Sequence, residues 1–498
     1  MGNHNTHEKG SDGGSGTSTP RGSTRATRSG SGDLQGQQEK SEPQTASLVP
    51  VEKLGKLLAQ RSQKEDGING VTEKSFTKYL FPNYPDLARQ FYGYIHRIGK
   101  CKNKHVPLST FRQQCERILA MLDDSAIIET YVRMFSSDVN ESTVTTDDFR
   151  SLLYVSYKLS MDHYPDGPQT DIMMDKTLMA VVRGCFNNKD SHSIGFVVRW
   201  LEEHCHRLIF PVHRYCVHML ATRHRDVETL ASDGEAALEL GTPVLERAAW
   251  APAAAALRPA AAWLLAAAAP PLYSRPARPP APPAHAAHAA PATAAWLARL
   301  VCALPSHWAP LYASREHGLG ANRFLHHTLH YRGPTLVVVE GAAGAGAGAA
   351  GVTLVACAPQ EWRDTHQYWG GPDCALVQLY PTFAVVERGP KMLYLNSCIR
   401  GYPKGLRAGA DPRRPLLAVG EGFDSFEYKG VPYPLAAIEV WGCGEQALKD
   451  AQTEVKKWQV REAERQRQVK VSAADWMEHP DRYLLELAGR PQYNNSSS

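Results

Sequence analysis

The chain has 498 residues, 43% hydrophobic and 21% charged, ordinary for a protein with packed cores and enough, at about 150 residues per domain, for roughly three folding units. Lys and Arg total 55 against 51 Asp and Glu, and a net charge of +4 is too small for a mainly electrostatic nucleic-acid binder. The longest apolar run, residues 260–269, is far short of the ~20 residues that span a bilayer, which excludes a transmembrane protein but not membrane attachment. Ten cysteines are scattered with no CxxC pair, and the N-terminus lacks an apolar signal region, so reduced thiols in the cytosol are expected.

The chain opens Met-Gly-Asn-His-Asn-Thr, so Gly2 followed by Thr6 fits the N-myristoylation pattern. Residues 1–46 are rich in Gly, Ser, Thr and Gln and too poor in apolar residues to offset the entropy of ordering. They are expected to form a disordered, N-myristoylated arm. Through residue 50 this arm carries five basic residues against five acidic ones, so no polybasic second anchor accompanies the acyl chain. A single myristoyl chain binds membranes with a constant of about 10⁴ M⁻¹, which makes attachment reversible.

Residues 47–232 read as helical. Leu54, Leu57 and Leu58 recur at helical spacing, as do Ile127, Ile128, Tyr131, Val132 and Phe135, with Pro82, Pro85, Pro107 and Pro165 as punctuation. Val71-Thr-Glu-Lys-Ser-Phe76 and Val144-Thr-Thr-Asp-Asp-Phe149 each resemble the end of an EF-hand loop. Calcium ligands are expected at alternate loop positions, with a carboxylate at the last. The second loop would place Ser137 first, Val139 third, Ser142 at the bend and Asp148 last, and the first loop ends on Ser75. A degenerate EF-hand-like shape is expected, and calcium binding is not. His204, Cys205, His206, His213, Cys216 and His218 invite a zinc reading, but Val212, Tyr215, Val217 and Leu220 make the segment read as a packed amphipathic helix, so no metal is expected.

Residues 233–292 are dominated by Ala and Pro and read as a linker, with a short helix around Trp263-Leu264-Leu265 and tolerance of change elsewhere. Beyond them, 294–304 reads as an amphipathic helix. Strands are expected at Thr335-Leu-Val-Val-Val-Glu340, Val352-Thr-Leu-Val-Ala356, Ala375-Leu-Val-Gln-Leu379, Met392-Leu-Tyr-Leu395 and Ala437-Ile-Glu-Val-Trp441. Strands in succession with few helices between them predict antiparallel pairing. Gly346-Ala-Gly-Ala-Ala-Gly351 fits a dinucleotide-binding fingerprint, but a strand pattern follows it where a helix is required, so a hairpin loop is expected and no cofactor. No G-x-S-x-G, P-loop or H-E-x-x-H motif occurs, and His317, His326, His327 and His330 have no evident nucleophile beside them. Residues 445–493 read as a helical tail, led by a helix over 445–471 with Leu448, Ala451, Val455 and Trp458 as its apolar stripe.

Residues 293–444 resemble a TLDc domain. The resemblance rests on Leu304-Pro305, Trp308, Leu311-Tyr312, Ser314-Arg-Glu-His-Gly318, Arg332-Gly-Pro-Thr-Leu336, Trp362, Phe383 and Ile438-Glu-Val-Trp441, in that order. Two segments depart from the family pattern: Ala356-Cys-Ala358 stands where the family has Phe-Gly-Gly, and Leu416-Leu-Ala-Val-Gly-Glu-Gly-Phe423 replaces a Gly-rich segment. The layout is similar to the mTOR-associated, EAK-like branch of that family. The resemblance implies an α+β chain with an EF-hand-like helical domain, an antiparallel TLDc sheet with helices, and a helical tail. It implies a non-enzymatic adaptor, cytoplasmic and peripheral on lysosomal or other endomembranes. Its implied partners are the V-ATPase peripheral sector, mTOR complex components and the membrane itself through the N-terminal myristate. The alternative it leaves open is a soluble TLDc protein that protects against oxidative stress and has no lysosomal role.

Overall fold

The computed structural model describes residues 49–138, 142–161, 172–225, 257–274, 308–343 and 351–467, with 484 and 487. Gly2 and the rest of the arm, the helix expected at 294–304 and the region following 471 that opens with Ser472 lie outside the described residues. The fold is α+β, with helices first, an antiparallel sheet next and a long helix after it.

The N-terminal helices come in pairs. They are α1 (Val49–Asp66) with α2 (Glu73–Ser75), α3 (Pro85–Ile98) with α4 (Leu108–Leu119), α5 (Asp124–Phe135) with α6 (Thr146–Met161), and α7 (Ile172–Phe186) with α8 (Ile194–Cys205). Helix α9 (Phe210–Thr222) follows. Local chemistry sets the helix starts. Thr72 and Asp123 accept N-terminal backbone N–H groups of α2 and α5, and Pro85 occupies the first turn of α3.

The loops pair as well. Val71 and Val106 exchange two backbone hydrogen bonds of 2.9 Å, and β1 (Thr143–Thr145) runs antiparallel to β2 (Ser191–Ser193) with Val144 opposite His192. Five residues after each pairing position comes a buried side chain: Phe76, Phe111, Phe149 and Val197. Two of these loops were legible in advance. The other two have the same construction.

A second finding is α10 (Pro259–Ala268), the helix expected around Trp263 inside the Ala/Pro-rich segment. It is no loose linker element, since every residue from Ala260 to Ala268 is buried. Six of those nine are alanines, so the helix axis approaches its neighbours α6, α7 and α8 closely. Trp263 stands edge-on to Tyr157, and its indole N–H donates to Ser160 Oγ at 3.0 Å. The carbonyls at the helix end, which have no partner within the helix, are taken by guanidinium groups. Arg207 reaches Ala266 and Ala269, and Arg388 reaches Ala268. A short turn, α11 (Pro271–Ser274), carries Tyr273, whose hydroxyl donates to the Asp373 carbonyl at 3.0 Å.

The sheet is built from β3 (Ala309–Ala313), β4 (Thr335–Gly341), β5 (Thr353–Ala358), β6 (Thr365–Trp369), β7 (Ala375–Tyr380), β8 (Ala384–Arg388), β9 (Leu393–Asn396), β10 (Gly405–Ala408), β11 (Leu417–Val419), β12 (Ser425–Tyr428) and β13 (Val431–Gly442). Its order is β6-β9-β10-β11-β12-β13-β4-β5-β7-β8, and β3 also pairs with β13. Every strand pairing in it is antiparallel, as expected. Between β3 and β4 sit two short helices, α12 (Ser314–His317) and α13 (Ala321–Thr328).

Strands β4, β5 and β7 are buried on both faces, which accounts for their unbroken apolar sequences. Val337, Val339, Leu354, Ala356 and Leu376 face the interior of the sheet domain with Leu393, Leu406 and Phe426. Leu336, Val338, Val355, Cys357 and Val377 face the other way and share one continuous core with α10 and the N-terminal helices. The seam is tight. Phe383 N–H donates to the Ala180 carbonyl at 2.8 Å, and a Cβ added at Gly184 would lie 2.1 Å from the Phe383 oxygen. Val385 N–H donates to His204 Nδ1 at 3.2 Å.

Candidate functional site

The EF-hand-like loops close on their own hydrogen bonds. In the third loop, Asp148 Oδ2 accepts from Ser137 N (3.1 Å), Ser137 Oγ (2.9 Å) and Thr145 N (3.2 Å). The first and last ligand positions of an EF-hand are thus bonded directly to each other. Asp138 Oδ2 takes the N–H and hydroxyl of both Ser142 and Thr143. In the first loop, Asp66 accepts from Thr72 Oγ1 and from Lys74 Nζ, both at 3.1 Å, and Ser62 and Ser75 share a hydroxyl contact of 2.6 Å.

The His/Cys segment packs into the helical core and the seam. His213 is buried, and its Nδ1 lies 3.3 Å from the Tyr131 hydroxyl. Burial first, and Arg214 second, push its imidazole down to about 4. Burial also pushes the Cys216 thiol up to about 12, which keeps it protonated and a poor metal ligand. His204 serves the seam to β8, and Cys205 is buried with its thiol pushed well up by burial. Among the described residues, no group of three or more His, Cys, Asp or Glu side chains is placed to hold a metal ion. The nine described cysteines are free thiols.

The Gly-rich segment joins β4 to β5, its core at 344–350 lying outside the described residues. The two strands pair antiparallel from Thr335↔Ala358 to Glu340↔Thr353, so a strand and not a helix follows the glycines in sequence. The hairpin expectation is met.

The resemblance motif forms a self-bonded corner on β13. Ser314 Oγ accepts the Ile438 N–H at 3.0 Å, Tyr312 donates to the Gly318 carbonyl at 2.7 Å, and Gly318 has φ 80°, which favours glycine. His317 Nδ1 lies 3.1 Å from the Ala313 amide nitrogen, and its ring stacks on Tyr312. Trp362 Nε1 donates to Thr335 Oγ1 at 2.8 Å. The buried Glu439 accepts from Trp441 Nε1 (3.1 Å) and from the Leu257 N–H (3.3 Å), so this Glu-Val-Trp segment also fastens the approach to α10. These polar atoms are bonded within the domain.

Helix α14 (Gln446–Arg467) docks along this corner by its first half. Leu448 packs against the sheet-domain core. Gln452 is buried, and its amide donates to the carbonyls of His327 (2.9 Å) and Leu329 (2.8 Å). Past Val455 the helix is largely uncovered, and Trp458 is 59% exposed. The apolar stripe expected from Leu448 to Trp458 therefore packs only at its start. Nearby, a cleft lined by Asn322, Arg323, Asn396, Cys398 and Glu421 holds the exposed thiol of Cys398, 3.8 Å from Asp364 Oδ2.

Among the described residues, no helix is long and apolar enough to cross a membrane. A stretch of 78 residues is 41% identical to the Restriction of telomere capping protein 5 of Kluyveromyces lactis, covering 16% of this chain and 12% of that protein, so the likeness spans about an eighth of the relative's length. Residues 292–430 match the model of the TLDc domain family, just short of β13. With the sheet, the corner motif and the match in agreement, the chain carries a TLDc domain.

Proposed function

We propose that this chain is a non-enzymatic adaptor, tethered to lysosomal membrane by a myristoyl group on Gly2, that binds the V-ATPase peripheral sector and supports mTOR signalling. The observation that carries this reading is the half-docked helix α14: Gln452 and Leu448 fix its base on the TLDc domain while Trp458 stands free for a partner. Tether and protein contact would each be weak, and acting together they raise the effective concentration at the membrane. The EF-hand-like helices support the TLDc sheet and require no calcium. The acid test of the tether is Gly2→Ala in the full chain, followed by membrane fractionation and capture of V-ATPase peripheral subunits. Loss of the protein from membranes with retained capture in detergent supports the adaptor. Unchanged fractionation removes the tether, and no capture with the full chain moves the function to the soluble, oxidative-stress-protective alternative.

A further inference from the structure

The docked half of α14 lies against an unusual concentration of imidazole. His317 of α12 and His327 of α13 have ring centroids 4.0 Å apart, and His326 lies 5.0 Å from His327. Tyr312 of β3 completes the group, 5.8 Å from His317 and 5.9 Å from His327. From α14 comes Lys456, half-buried and close enough to act on His327 by its charge, with Lys449 on the same helix. One turn beyond, Gln459 Nε2 lies 3.0 Å from His330 Nε2, a contact that needs an unprotonated ring nitrogen as acceptor. The acidic group facing this end is Glu361, 3.8 Å from His330 and 3.9 Å from Arg332, and so already shared. Glu454 of α14 is bonded to Lys457.

The joint therefore sets imidazoles on one side against ammonium groups on the other. We propose that His327, whose ring lies 4.0 Å from that of His317 and 5.0 Å from that of His326, forms a proton-operated latch, in which mild acid places positive charge against Lys456 and lifts α14 from the TLDc domain. The inference rests on the joint itself and is independent of which partner the helix meets.

The sign follows from the environment. His327 is held down to about 4, first by burial, then by His317, Lys456 and His326. Lifting the helix removes Lys456 and part of the burial, so the ring regains some of its ordinary affinity, with a pKa toward ~6.5. A pKa lowered on docking means that docking is complete above about 6.5 and weakens as pH falls from there toward 4. His317 and His326 stay on the domain, so the effect is below the full shift. Between pH 7.5 and 5.5 the docking constant should fall severalfold, and by about tenfold at most.

The test is amide hydrogen exchange over α14 in the full chain at pH 7.5 and 5.5, expressed as protection factors so that the intrinsic pH dependence of exchange cancels. Residues 446–459 should lose protection severalfold at pH 5.5, while β4 and β5 keep theirs. His327→Gln, which cannot take a proton, should hold protection at pH 5.5. Lys456→Met, which leaves the imidazoles and the Gln452 contacts in place, should halve or better the acid loss. Gln452→Ala should lower protection equally at both pH values, showing that the signal reports docking. Equal protection of the parent at the two pH values overturns the latch. So does an acid loss that persists undiminished in both His327→Gln and Lys456→Met. If His327→Gln is undocked at pH 7.5, the Lys456→Met slope alone decides.

Discussion

His213 shows how one buried side chain ties this fold to pH. Its Nδ1 faces the Tyr131 hydroxyl and its ring is pushed down to about 4, mainly by burial. The unfolded chain would protonate this ring near 6.5, so folding excludes a proton that the unfolded state accepts below that value. Stability from this group is complete above about 6.5 and is lost as pH falls toward 4, with a ceiling of about 3 kcal/mol. Thermal unfolding of the parent should show the melting temperature falling between pH 7 and 5, and His213→Gln should flatten that slope. An identical slope in the variant would assign the acid sensitivity elsewhere. The packed character of this helix was legible in the sequence, but the contact of His213 with Tyr131 was not, because the two residues lie 82 positions apart. The apolar neighbours Val212, Tyr215 and Leu220 already read as a packed helix, and the structure adds that His213 and Cys216 are buried with them, the thiol raised and the imidazole lowered by that burial.

At the scale of single elements, α10 carries the sharpest prediction. Trp263 fills the space between Tyr157 and Ser160, and truncation to Ala should cost about 3–5 kcal/mol. Chemical denaturation of Trp263→Ala against the parent checks this, and a change under 1 kcal/mol would show that the helix is dispensable. The helix was foreseen and its burial was not. Alanine and proline composition describes a flexible connector well, and nothing local distinguishes a connector from a core helix that needs small side chains to fit. Strands β4, β5, β7, β9 and the end of β13 were readable because burial on one or both faces leaves runs of Val, Leu and Ile. The strands β6, β10, β11 and β12 have three to five residues each and carry residues such as His366, Arg407 and Glu427, so their membership comes from pairing with neighbours. The loop at Val106 was readable in principle, since Phe111 follows it by the same five positions as Phe76 follows Val71. The loop at His192 keeps the spacing but is harder to read, since a histidine that stacks on Phe196 stands at the pairing position and Val197 stands where the other loops have Phe.

Across the whole molecule, the TLDc sheet is finished by the helical half. Leu336, Val338, Val355 and Val377 are covered by α10 and the N-terminal helices. A fragment of residues 293–498 should therefore bind a hydrophobic dye and self-associate, while the full chain stays dye-silent. A monomeric, dye-silent fragment in sedimentation would show that this face needs no cover. Binding experiments belong with the full chain for the same reason. The position of β13 has a further consequence during synthesis. This strand is made last in the sheet yet pairs with β12, β4 and β3 at its middle. As the chain leaves the ribosome, the helices and α10 emerge first and can wait folded, whereas β3 to β12 must remain three unjoined pieces, β3 by itself, β4-β5-β7-β8 and β6-β9-β10-β11-β12, until Gly442 has cleared the exit tunnel. The domain is thus committed by its final dozen residues, and a premature stop anywhere before them forfeits the sheet rather than trimming its edge.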